Sequence, residues 1–262
     1  MPDSNNICFM DNQFLEASML TVSSEDSDFP IENLLDPIRS RLFKPLTNVF
    51  NIVIDLGVNA SVEFIGLVGP LSSFFGISDA ATITIEANNI NDFVTPPFTT
   101  TATPELTGVF KFIDDDNDFR YWKISIDDNT NPDIMELGFL YFGDYIQLAD
   151  RTVSKGFTAG VVDNTRQVES MNGTLYYDEK QKYHRFNGLG LGYIPAEDRR
   201  LLEKMYFDNG KSTPMFVSLD PNLKISVEHG ELTKLMVFDN APSINHHFDD
   251  VYSMGFSLRE SV

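Results

Sequence analysis

The stretch FRYWKISIDDNTNPDIMELGFLYFGDY, Phe119 to Tyr145, decides how this chain folds. In its first run Tyr121, Lys123, Ser125 and Asp127 alternate with Trp122, Ile124 and Ile126. A period of two belongs to a strand with one face buried. The second run, Glu136 to Gly143, is almost wholly apolar and suits a strand covered on both faces. Asp127 to Pro132 between them concentrates Asp, Asn and Pro, the residues of turns. Trp122, the single tryptophan, shares its face with Ile124 and Ile126, which makes it a core residue rather than a ligand platform. The stretch is expected to close one β-domain and hand the chain to another after Tyr145.

The same texture runs upstream. NIVIDL (Asn51 to Leu56), FIGLVG (Phe64 to Gly69), ATITIEA (Ala81 to Ala87) and Gly108 to Ile113 read as short strands. Gly57 is expected to end the first of them. Polar turns and a Pro/Thr loop at 95–105 separate them, and Pro30 and Pro37 leave room for one helical turn around Asn33 to Leu35. β-branched residues in alternating runs favour sheet over helix. Regular short strands with almost no helix predict a β-sandwich or barrel. The first 30 residues offer little to pack beyond Ile7, Phe9, Met19, Leu20 and Val22.

FPIENLLDP, VIDLG, FIGLVG, TITIEANN, FRYWKISI and MELGFLYFG together resemble a discoidin-type, galactose-binding-like β-sandwich over about residues 15–145. With FPIENLLDP near the start, the pattern looks most like virion structural proteins of tailed bacteriophages. The resemblance implies a mainly β protein with a galactose-binding-like jelly roll at residues 1–145.

Residues 146–262 change texture. Asn172-Gly173 between Arg166–Met171 and Thr174–Asp178 signals a two-residue type I′ hairpin, and Asn187-Gly188 repeats the signal. Pro195, Glu197 and Asp198 open a helix near 195–208 with Leu201, Leu202, Met205 and Tyr206 on one face, and Gly210 stops it. Further strands follow at Pro214 to Leu219, Lys224 to Glu228, Leu232 to Phe238 and Val251 to Arg259. Their order resembles the tail-tube-like fold of phage tube and baseplate proteins.

Composition narrows the function. The chain has 262 residues, 42% of them apolar, with 22 Phe, enough for two cores. Acidic residues outnumber basic ones 39 to 19, for a net charge of −20, which opposes direct nucleic-acid binding. Cys8 stands alone, so no intrachain disulfide forms. The acidic N-terminus lacks the pattern of a signal peptide, and no run is long enough to insert in a membrane, so a chain folded in the cytoplasm is expected.

No catalytic motif is present, and an enzyme is not expected. No cofactor is implied. Asp114, Asp116 and Asp118 are spaced like half a calcium loop, but Phe119 and Ser125 stand where its glycine and glutamate belong. They remain weak metal candidates beside the plainer reading of a solvated acidic turn. His246 and His247 are neighbours that point apart on an extended chain and read as a loop before the last strand. Gly188-Leu-Gly-Leu-Gly192 lacks the setting of a dinucleotide loop and suits close approach of another backbone. Phe74, Phe75, Phe93, Phe98, Tyr176 and Tyr177 are the aromatics placed to reach solvent.

Two expectations follow. The first is a non-enzymatic component of a phage tail tip or baseplate in the virion, forming a homo-oligomeric ring with other tail proteins. Its contact residues would be Met171, Asn172, Gly173, Tyr176 and Tyr177. The alternative is a carbohydrate-binding protein that contacts a host-surface glycan.

Overall fold

The computed structural model describes residues 6–70, 76–105, 108–113, 117–148, 156–221 and 232–261. The protein is mainly β and divides into two units, residues 1–152 with 215–235, and residues 153–214 with 236–262. The segment 215–235, read from sequence as part of the second domain, belongs with the first.

The first unit is a two-sheet β-sandwich. One sheet has five strands in the order β2 (Leu20–Val22), β3 (Val49–Ser61), β8 (Asp118–Asp127), β5 (Thr82–Asn88), β6 (Phe98–Ala102). The other runs β14 (Met215–Ser218), β1 (Cys8–Gln13), β9 (Phe139–Gln147), β4 (Phe64–Val68), β7 (Gly108–Phe112). All these pairs are antiparallel. The opening stretch therefore supplies a central strand to each sheet. Trp122 of β8 is fully buried and meets Phe142 of β9 edge to face, with ring centroids 5.4 Å apart, which ties the sheets together. Ile52, Ile54, Ile83, Ile85, Ile124 and Ile126 from one sheet and Ile65, Leu67, Val109 and Leu140 from the other complete this core.

The second sheet is apolar on its other face as well. There Phe64, Phe139, Tyr141 and Phe216 form a second cluster with Cys8 and Met10. Phe216 lies within 6.0 Å of the rings of Phe64, Phe110, Phe139 and Tyr141, which explains why β14 returns to this unit. Burial pushes the Cys8 thiol well above its ordinary range, so it is an inert packing group.

Two strands run past their expected ends. β3 continues past Gly57, whose φ of 76° lets the strand bulge between Asp55 and Ala60. β9 runs to Gln147 and keeps pairing with β1, so the first unit extends beyond Tyr145. The residues Ile31–Leu35 form the short 3-10 turn expected between the two prolines.

In the second unit β10 (Thr158–Val162) pairs with β13 (Tyr183–Pro195), and β13 with β17 (Val251–Glu260). β17 also pairs with β16 (Ser243–Phe248) and with the second half of β15 (Thr233–Phe238). Asn187-Gly188 makes no hairpin: β13 passes straight through with a bulge after Phe186, and Gly188 takes a φ of 68°. Phe186, Leu189, Leu191 and Ile194 all stay buried, so a turn there would have exposed half of them. Helix α1 (Ala196–Asn209) buries Leu202 and Met205, sets Tyr206 against Phe238, and ends at Gly210, whose N–H donates to the Tyr206 carbonyl. Among the described residues no helix is long and apolar enough to cross a membrane.

Candidate functional site

The outward face of the five-stranded sheet is built by the residues that alternate with the core. Register places Thr101, Thr84, Ser125 and Asn51 side by side across β6, β5, β8 and β3. Adjacent strands are about 4.8 Å apart, so the four form a straight row of neutral hydrogen-bonding groups. The side chains of Thr84, Ser125 and Asn51 have no protein hydrogen-bond partner among the described residues. Over the row lies an open depression of about 390 Å³, lined by Ser23, Val49, Phe50, Asn51, Thr82, Thr84, Ser125, Ile126 and Asp127.

Charge flanks the row, paired on the Lys123 side and carried by the exposed Asp127 on the other. In the next row Lys123 of β8 bonds Glu86 of β5 at 2.5 Å, and the Phe93 ring lies 4.9 Å from the ammonium. One row further, Arg120 makes two hydrogen bonds to Asp55 and lies over Tyr121. That guanidinium holds the Asp55 carboxyl below the usual carboxylate range. At the opposite end Asp128 is buried and accepts from the Ser78 N–H and hydroxyl and from Asn131. Burial pushes its pKa up, but these hydrogen bonds outweigh it and the net shift is downward. Asn131 also donates to the Gly76 carbonyl, and Asn48 to the carbonyls of Asn131 and Asp133. This network fixes the loops bordering the depression. The face can thus offer its neutral row to an uncharged, hydroxyl-rich molecule, with the Lys123–Glu86 pair on one side and the exposed Asp127 carboxylate on the other.

The second candidate surface is the hairpin of β11 (Arg166–Glu169) and β12 (Leu175–Asp178), a two-stranded sheet of its own with all eight residues exposed. Its loop differs from the type I′ turn read from sequence. Gly173 N–H donates to the Ser170 carbonyl, Ser170 N–H to the Thr174 carbonyl, and only Gly173 has positive φ. That is a three-residue loop with a glycine bulge, in which Asn172 instead accepts from the Ser170 hydroxyl and the Thr174 N–H. Met171, Tyr176 and Tyr177 are exposed, as are Val168 and Leu175. All five expected contact residues lie on this one element.

The other sequence candidates separate. Asp114 and Asp116 lie outside the described residues, as do Phe74 and Phe75, and Asp118 is an exposed residue at the start of β8. Among the described residues no group of three metal-binding side chains occurs. Phe98 is not a surface aromatic: it packs on Trp122 and Phe119. His246 and His247 lie within strand β16 rather than in a loop, and their rings contact Tyr252 and Tyr193 respectively. The neutral row escaped the sequence reading because its members come from four separate strands, although each strand's alternation marked its outward residues.

No family model matches the chain, and no match was found among curated proteins. Among solved structures, a chitosan-binding module of a chitosanase/glucanase from Paenibacillus sp. IK-5 is 17% identical, with a TM-score of 0.38, covering 51% of this chain and 100% of that one. The family 32 carbohydrate-binding module of C. perfringens NanJ, solved with galactose, is 17% identical with a TM-score of 0.39, covering 48% and 92%. The CBM32 of AlyQ, solved with 4,5-unsaturated mannuronic acid, is 18% identical with a TM-score of 0.38, covering 50% and 98%. Each similarity covers about half of this chain, and none bears on what the chain binds.

Proposed function

We propose that this chain is a carbohydrate-binding protein without catalytic activity, and that its first unit holds a neutral glycan on the outward face of the five-stranded sheet. The observation that carries this reading is the unpartnered row of Thr84, Ser125 and Asn51 beneath a depression of about 390 Å³. Depressions of this size, on the order of 300–1,000 Å³, suit small ligands, and hydroxyl and amide side chains can both donate to and accept from sugar hydroxyls. The net charge of −20 disfavours polyanionic glycans. Carbohydrate binding is also what the names of the solved modules describe, but the reading rests on the sheet face. A glycan array probed with the full chain should show saturable binding to a neutral oligosaccharide, and silence across the array retires the reading.

A second reading is carried by the hairpin. Val168, Met171, Leu175, Tyr176 and Tyr177 expose apolar area on a two-stranded sheet whose eight strand residues are all exposed, and an edge strand with such side chains can extend a neighbour's sheet. On this reading the chain is a structural part of a phage tail tip or baseplate and meets its neighbours through residues 166–178. None of the solved structures above is named a virion protein.

A further inference from the structure

The outward side of β17 in the second unit carries a small aromatic platform. β13 bulges between Leu191 and Ile194, and β16 bulges between His246 and Phe248, on the two sides of β17. Bulges turn a side chain out of its normal alternation. Here they bring Tyr193 and His247 together, with rings stacked at 5.9 Å and 28°. His247 Nε2 shares a hydrogen bond of 2.9 Å with Ser253 Oγ of the strand between them. On the other side of β17, the Tyr252 ring contacts His246 and the Arg199 guanidinium, which braces the strands beneath the platform.

Tyr193 is held there at a cost. Its φ is 57°, a left-handed conformation that a bulky residue rarely adopts. The residue is 62% exposed, so burial does not offset the strain. Strain kept at an exposed residue points to presentation of that side chain rather than to folding.

We propose that Tyr193, His247 and Ser253 form a second glycan-contact site, independent of the sheet face in the first unit and sharing with it only the ligand class. Among the described residues Tyr193 stacks on His247 and is 62% exposed, so its ring can stack on a pyranose, whose axial C–H groups match the ring's electron-rich face. The Ser253 hydroxyl and His247 imidazole flank it as hydrogen-bonding groups. A nucleic-acid base would find the same ring, but the charge of −20 repels its backbone.

The test titrates the full chain with neutral tetrasaccharides of β-linked glucose, galactose and N-acetylglucosamine, reading the imidazole resonance of His247. The chain has 4 histidines, so the His247→Gln variant assigns that signal. One of the sugars should shift it, and Tyr193→Asn should weaken that sugar's binding at least tenfold. Because Asn tolerates left-handed φ, Tm should not fall in that variant. A merely structural tyrosine would instead lower Tm and leave affinity unchanged, which overturns the proposal. Sugar binding that survives Tyr193→Asn but is lost in Thr84→Val with Ser125→Ala overturns this site and leaves the sheet face standing. The reverse pattern keeps this site and removes the other. Loss of self-association in Tyr193→Asn, seen by light scattering without any sugar response, would assign the platform to a copy of the chain and overturn the proposal.

Discussion

Gly143 shows how much one residue can decide. A methyl group there would collide with the Asn12 carbonyl oxygen, where β1 crosses β9 at its bulge. Backbone cannot yield as a side-chain tip can, so Gly143→Ala should destabilise the first unit by about 1–3 kcal/mol in a denaturant titration. An unchanged midpoint would contradict the close approach. The next residue carries a pH signature. Burial, then the Glu63 carboxylate, raises the Asp144 pKa to about 6, above its value of about 3.9 in an unfolded chain. The folded state therefore binds this proton more tightly. The resulting stability is complete below about pH 4 and is lost as pH rises through 6. Asp144→Asn removes the ionised form and should raise stability at pH 7.5 by about 1 kcal/mol, with water screening the group's open side. That gain should vanish near pH 4; a gain constant from pH 4 to 7.5 would rule out the titration as its cause. Trp122 was legible from its alternation with Ile124 and Ile126. Tyr193 was not, because a bulge breaks the period on which such reading depends.

At the scale of elements, the sequence marked strands well wherever one face was wet. β3, β5 and β8 alternate cleanly and lie in the half-open sheet. β1 was missed: ICFM is buried on both faces, so alternation disappears, and the run is too short to stand out. The two Asn-Gly pairs were the strongest local signals and neither made the expected turn. In both, only the glycine takes positive φ, once to close a three-residue loop and once to bulge a continuous strand. The free-standing hairpin gives a clean prediction. Replacing 167–178 by a short Gly/Ser linker removes no core residue, so Tm should change by less than about 2 °C. A folded but smaller particle by light scattering would support the assembly reading. A particle of unchanged mass would remove it.

At the scale of the whole molecule, pattern gave a mainly β chain with its helix in the second half, and the family resemblance chose a sandwich over a barrel for the first. The interleaving of the units was not, since 215–235 joins the first unit through the aromatic contacts of Phe216, which leave no local trace. The candidate site was hidden for the same reason: a row across four strands exists only once register is known. The central claim is that this row holds a neutral glycan, and calorimetric titration tests it most directly. The wild-type chain and the pair variant Thr84→Val with Ser125→Ala are each titrated with the best oligosaccharide from an array. Two lost hydrogen bonds of about 1 kcal/mol each should weaken binding roughly tenfold or more at unchanged Tm. Equal affinity in the two proteins would contradict the account.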